Sequence, residues 1–348
     1  MATHSVRDSS LDLLRILAIT GAVAIHAFNP ILITQEINSV QWIIANIIDS
    51  AARWCVPVFV MISGALLIKP NLFEHREAFY SKRLRRIITA IAIWPIVYLL
   101  WSWFLTGKIP DISEYAYGML VGSPAPGHLY FLFLILGLYI LTPAISLYAS
   151  KVSAREFNIT AAVILILTAL WHLVATFVPG QPGTIETSNF ITQSIPFIGY
   201  YMAGYALLNY RTKMPYVYVA SFTAAIYALV IASSLMSGIF GLGKGLVFHS
   251  YSSIFVVVAA LSLFIFVREY SARSKTRMAA KSMLAKLASA TYGVYLIHMM
   301  ILSAAVHYLD LSQESYTGTT IAFALTLLGT FLLVFALLRT RLFRYLLT

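Results

Sequence analysis

The sequence predicts an all-α polytopic membrane protein of about ten transmembrane helices with both termini in the cytoplasm. Three observations predict it. Hydrophobic residues make up 60% of the chain and charged residues 11%, with a mean hydropathy of +0.82; that balance excludes a soluble globular protein. Apolar runs of about 18 to 25 residues recur from end to end, each long enough to cross the hydrocarbon as a helix. Finally, 20 of the 24 lysines and arginines fall on one side once those runs are threaded alternately through a bilayer, which is the positive-inside pattern.

The runs cover roughly residues 11–33, 41–68, 84–106, 128–148, 156–178, 189–209, 215–236, 246–268, 285–308 and 318–338. With the N-terminus inside, only Lys108 and Lys244 fall outside, while Arg15 and Arg53 lie within spans. The net charge of +11 is therefore a topology signal with some attraction to anionic membrane lipid, and no nucleic-acid partner follows from it. The connecting segments leave no room for a separate soluble domain, so residues 1–348 read as a single transmembrane unit. The outside loops 107–127, 179–188 and 309–317 read as short irregular caps. No internal repeat supports an inverted-repeat transporter.

The first span carries Asp12, Arg15 and His26. Ionisable side chains in a lipid-embedded helix cost several kcal/mol unless they face a partner or a wet cavity. Arg15 and His26 are eleven residues apart, which returns them to within about 20° of one helix face and about 16 Å along the axis. Arg15 interrupts the apolar stretch, which argues against a cleaved signal peptide. Asp12 is placed to pair with Arg15 one turn on, or to serve as a first-turn acid. His26 reads as a general base or nucleophile, with a packing histidine as the plainer alternative.

The second span holds Asp49 and Arg53 at i, i+4, then Pro57, which bends a helix, and Ser63-Gly64, which permits close packing. Arg53 sits in the outer third, where pairing with Asp49 or snorkelling would also account for it. Cys55, the single cysteine, excludes an internal disulfide and reads as a small core residue. Before the third span, Phe79-Tyr-Ser-Lys-Arg-Leu-Arg-Arg86 is a dense basic loop. It is either a topology signal or a site for a phosphate-bearing polyanion. His128 and Tyr130 open the fourth span at the outer interface. In the ninth, Thr291, Tyr295 and His298 share one face, with His298 at about 20 Å from the inner end and so near the depth of His26. No Gly-rich phosphate loop, no His/Cys cluster at metal spacing and no Gly-x-Ser-x-Gly elbow is present, so no metal is expected. Carboxylates within spans are few, which weakens an ion-coupled transporter.

Together these blocks resemble the acyltransferase-3 family of integral-membrane acyltransferases. The resemblance spans Asp12-Leu-Leu-Arg15 with His26, and Arg53-Trp-Cys-Val-Pro-Val-Phe-Val-Met-Ile-Ser-Gly-Ala-Leu-Leu67. It continues through Lys82-Arg-Leu-Arg-Arg-Ile87 with Pro95, His128-Leu-Tyr-Phe-Leu with Pro143, and Tyr292-Gly-Val-Tyr-Leu-Ile-His298. The wording around Pro57 is most similar to the surface-polysaccharide O-acetyltransferase branch. The resemblance implies cytoplasmic acetyl-CoA as acyl donor (a co-substrate), an extracytoplasmic or lipid-linked glycan acceptor and a bacterial cytoplasmic (inner) membrane location. Its functional pair maps onto Arg15 and His26. On that footing Arg83, Arg85 and Arg86, with Arg15, would hold the CoA phosphates, and Asp12 would steady Arg15. His298 and Tyr295 would orient the acceptor or share the proton, with Arg53, His128 and Tyr130 lining the acceptor side. Some members carry an appended SGNH-type domain; this sequence ends at Thr348, so direct transfer or a separate partner protein is expected. The rival readings are a flippase for a lipid-linked sugar and a non-catalytic scaffold.

Overall fold

The computed structural model describes residues 8–108, 110–121, 127–177, 190–209, 214–241, 248–274 and 278–347. Every regular element among them is helical: α1 (Ser9–Thr34), α2 (Val40–Ala52), α3 (Cys55–Leu67), α4 (Arg76–Thr106), α5 (Ile112–Val121), α6 (Tyr130–Lys151), α7 (Ala154–Phe177), α8 (Phe190–Ser194), α9 (Ile198–Asn209), α10 (Tyr216–Ile239), α11 (Ile254–Arg273), α12 (Met278–Tyr308), α13 (Tyr316–Leu337) and α14 (Arg341–Leu347). Nine helical stretches among the described residues are long and apolar enough to cross a membrane. The all-α polytopic class therefore holds. The basic residues Arg7, Arg211, Lys213, Lys244, Lys275 and Arg277, and the loop 179–188, lie outside the described residues.

The departures from the sequence reading have local causes. The segment at 189–209 is a broken helix: α8, a 3-10 turn at Ile195–Phe197, then α9. Pro196 has no N–H to give the preceding turn, and here the backbone tightens into the 3-10 turn, whereas Pro30, Pro95 and Pro143 lie inside continuous helices. The second span divides at Arg53–Trp54 into α2 and α3, because Pro57 supplies no donor to the Arg53 carbonyl four residues back. The basic residues 79–83, expected in a loop ahead of the span at 84–106, are helical as well, since α4 starts at Arg76 after a 3-10 turn at Leu72–His75. The outer loop 107–127 is not wholly irregular. Within it the Asp111 carboxylate accepts from the Ser113 N–H at 2.8 Å and starts α5. The Tyr115 hydroxyl then ties α5 to the Pro95 carbonyl of α4 at 2.5 Å.

Helix α1 is central. It packs against α2, α3, α11, α12 and α13, and Leu14, Ala18, Ile19, Val23 and Ile31 along it are fully buried. The most apolar exposed side chains lie at the periphery, among them Trp171, Leu167 and Leu332, as suits helices facing lipid tails. In lipid the helices gain no hydrophobic drive toward one another, so close van der Waals packing must hold them. The tightest case is α3 on α9. A Cβ on Gly64 would fall on the Tyr201 carbonyl, and one on Gly204 would fall on the Met61 carbonyl. The two glycines let the backbones touch reciprocally. Gly204→Ala is expected to destabilise the fold by about 1–3 kcal/mol through overpacking. A thermal-unfolding comparison in detergent checks this, and an unchanged midpoint would contradict it.

Candidate active site

The starts of α1, α4 and α12 meet the end of α3 and the middle of α6 around two adjoining cavities. One, of about 330 Å³, is lined by Arg15, Arg83, Arg86, Tyr139, Ser289 and Tyr292, among others. The second, of about 260 Å³, shares Arg15, Arg83, Tyr139 and Tyr292 and extends past Ser63 and Ile135 to Phe59, Phe131 and Tyr295. A third cavity, of about 230 Å³, shares those last three residues as a wall. It continues to His26, Arg53, Tyr130, Tyr251, His128 and His298. Phe131 stands 5.6 Å from Tyr295 and 6.1 Å from Phe59, ring centre to ring centre. An aromatic partition thus divides a track that begins at arginines and ends at histidines.

At the arginine end, Arg15 Nη1 donates to Asp12 Oδ1 at 3.1 Å. Asp12 sits in the first turn of α1 and is buried, where the helix dipole favours a carboxylate. It offsets part of the cost of keeping Arg15 inside the bundle. Arg83 and Arg86 are three residues apart on α4 and so share a face. The guanidinium of Arg86 also lies over the Tyr292 ring at 4.4 Å, a favourable cation–π placement. Arg85 falls on another face of α4; it is exposed and lines neither cavity. Grouping it with Arg83 and Arg86 followed from their charge alone, without helical phase being applied across the start of the span.

At the other end three imidazoles converge from three elements. Ring centres lie 5.3 Å apart for His26 and His298, 4.9 Å for His128 and His298, and 6.0 Å for His26 and His128. His298 Nδ1 faces the backbone oxygens of Tyr295 at 2.7 Å and Val294 at 3.2 Å. Carbonyls only accept, so Nδ1 carries the proton and Nε2 presents a lone pair. His298 Nε2 and both ring nitrogens of His128 have no hydrogen-bond partner among the described residues. A buried polar group left open in this way is costly, and such groups mark places where a ligand or reacting atom completes the set. His128 is held from two directions: Tyr295 donates to its backbone carbonyl at 3.0 Å, and the Tyr98 ring meets its imidazole edge-on at 5.2 Å. Among the described residues no group of His, Cys, Asp and Glu is arranged to hold a metal ion.

The structure therefore brings Arg15, Arg83 and Arg86 to one end of the track and His26, His128, His298, Tyr130, Tyr295 and Arg53 to the other. Sequence reasoning did not single out Tyr139, Tyr292, Tyr251, Phe59, Phe131 or His249. Aromatic residues make up 14% of this chain, so no local signal distinguishes those in a wall from those facing lipid. His249 stands near the start of an expected span with no charged neighbour, and only the packing of α2 against α10 shows what it contacts. No curated protein and no solved structure matches the chain. A family model described as an acyltransferase domain does match, across residues 8–339, and the chain with its arginine-to-histidine track therefore belongs to the acyltransferase-3 family of multi-pass membrane acyltransferases.

Proposed function

We propose that the protein moves an acetyl group from cytoplasmic acetyl-CoA to a hydroxyl of an extracytoplasmic or lipid-linked surface glycan at a bacterial inner membrane. The observation that carries this reading is the track itself: a cationic cavity separated by one aromatic partition from a cluster of open imidazoles. The arginine end suits the donor. Arg83, Arg86 and Arg15 offer fork-shaped donors to phosphate oxygens, and the cavities they line contain no carboxylate among the described residues. The positive-inside pattern supports a cytoplasmic position for that end. Between Arg15 and His26 the helix rises about 16 Å, a distance of the order a pantetheine arm spans.

The histidine end suits the reaction. His26 takes the proton of the acceptor hydroxyl as its oxygen attacks the thioester carbonyl, or first accepts the acyl group itself. His298, whose Nε2 is open and whose ring lies 5.3 Å from that of His26, shares the proton, and His128 and Tyr130 meet the acceptor. Phe59, Phe131 and Tyr295 exclude water from the thioester until the acceptor is in place.

The test is donor consumption. Purified protein given radiolabelled acetyl-CoA and simple pyranosides is expected to release free CoA and labelled ester. Movement of a lipid-linked sugar across the bilayer without any loss of acetyl-CoA would instead establish the flippase reading.

A further inference from the structure

One buried polar cluster takes no part in the chemistry above. Asp49 on α2 is fully enclosed and engages Arg53 in a bidentate pair, Arg53 Nε to Oδ2 at 2.6 Å and Nη2 to Oδ1 at 2.8 Å. His249 Nδ1 stands 2.8 Å from the same Oδ2, at ion-pair distance but off the line of an N–H hydrogen bond. On the far side of that ring, Nε2 lies 2.5 Å from Ser234 Oγ and 3.0 Å from Ser50 Oγ. Ser50 donates in turn to Asn46 Oδ1 at 3.3 Å. A ring nitrogen facing a carboxylate carries the proton, so Nε2 accepts from Ser234, since Ser50 has given its one hydroxyl proton to Asn46.

The cluster has the Asp, His, Ser order of a hydrolytic triad, but its serines cannot act as nucleophiles. Ser234 is 0% and Ser50 2% exposed, and neither lines the outer cavity. The group that does reach the cavity is Arg53. It is the one permanent cation among the described residues there, and the bidentate pair occupies Nε and Nη2 and leaves Nη1 over. An arginine this close to the interface would ordinarily snorkel outward. Here Asp49 holds it, and His249, fastened to α10 through Ser234, holds Asp49. Three tied groups for one side chain indicate that the position of the guanidinium matters, beyond its charge.

We propose that Arg53 is a catalytic group that stabilises the oxyanion of the acyl transfer, and that Asp49 and His249 are its positioning residues. This rests on the transfer reaction proposed above. As the acceptor oxygen bonds to the thioester carbonyl carbon, the carbonyl π pair moves onto its oxygen and His26 takes the hydroxyl proton. The free N–H groups of Arg53 donate to that oxygen. When the pair returns, the C–S bond breaks and the thiolate of CoA leaves with the proton from His26. Because Asp49 neutralises Arg53 overall, the uncharged thioester meets no net charge, and the interaction strengthens only as the oxyanion develops, which is what lowers a barrier.

The experiment uses the full chain in lipid nanodiscs with acetyl-CoA as donor, methyl glucoside and water as acceptors, and free thiol as the readout. Arg53→Gln is expected to lower the maximal rate about 10²- to 10³-fold while the KM for acetyl-CoA stays within about twofold. His249→Leu is expected to lower the rate up to about 10²-fold with the same split, since a misplacement of about 1 Å costs that much. His249→Gln, whose amide N–H can still meet Asp49, should recover most of the loss. A full rate in Arg53→Gln overturns the proposal. So does a raised KM for acetyl-CoA or for methyl glucoside with the maximal rate intact, because Arg53 would then only bind a substrate. If His249→Gln is as slow as His249→Leu, the positioning role fails. If the wild-type protein releases no thiol from acetyl-CoA, the transfer reaction itself is wrong and this role falls with it; wild-type turnover indifferent to Arg53 removes only the present role.

Discussion

Replacement of His26 by alanine is expected to lower acyl transfer about 10²- to 10⁴-fold, the range a positioned general base supplies. The KM for acetyl-CoA should change little, because the arginines that meet the donor lie at the other end of the track. His26 is the only one of the three clustered histidines on α1, and α1 is enclosed by five other helices. Loss of the imidazole should leave the bundle intact, since its side chain is only half-buried against the cavity. His298→Asn is expected to give an intermediate loss, because the amide keeps a polar contact but cannot pass a proton as imidazole does. The measurement is thiol release from acetyl-CoA by correctly inserted protein. Wild-type transfer in His26→Ala would remove His26 from the mechanism.

The second large effect concerns the donor. Hydrogen bonds to charged groups are worth about 1.5–3 kcal/mol each. Truncating both Arg83 and Arg86 to alanine should therefore weaken CoA binding by about 10²- to 10⁴-fold, with little change in the rate at saturating donor. Arg85→Ala serves as the control. It carries the same charge on the same turn of α4 but lines neither cavity, so its effect should stay within about twofold. Titration of CoA into nanodisc-embedded protein measures both. Equal losses from Arg85 and from Arg83 or Arg86 would mean that the segment acts through bulk charge alone.

Much of the architecture was legible because membrane helices announce themselves over short windows. A run of about 20 apolar residues must be helical, since lipid offers the backbone no other partner. That argument recovered nine helical spans among the described residues and went astray only where a proline acts. Pro196 turned the sixth segment into two short helices, and Pro57 divided the second at Arg53. The face shared by Arg15 and His26 was readable for the same reason, because helical phase relates residues along one helix. At the start of the third span phase was not applied, and Arg85 was grouped by charge with residues from which it points away.

The sites themselves show the limit. His26, His128 and His298 are separated by 102 and 170 residues in the chain, and matched depth was all that sequence could offer for two of them. Their approach to within 4.9–6.0 Å depends on how α1, α12 and the 3-10 turn at Gly127–Leu129 before α6 are set against one another. The Asp49–His249 pairing, 200 residues apart, depends likewise on the packing of α2 against α10. Hydropathy and charge order are properties of neighbours along the chain, so class, span and the polar stripe of α1 belong to the sequence. Helix rotation in lipid is decided by side-chain contacts such as Gly64 against Tyr201, where no hydrophobic gradient points one face inward. The third histidine, the partition of Phe59, Phe131 and Tyr295, and the clamp on Arg53 therefore come into existence only in the folded bundle.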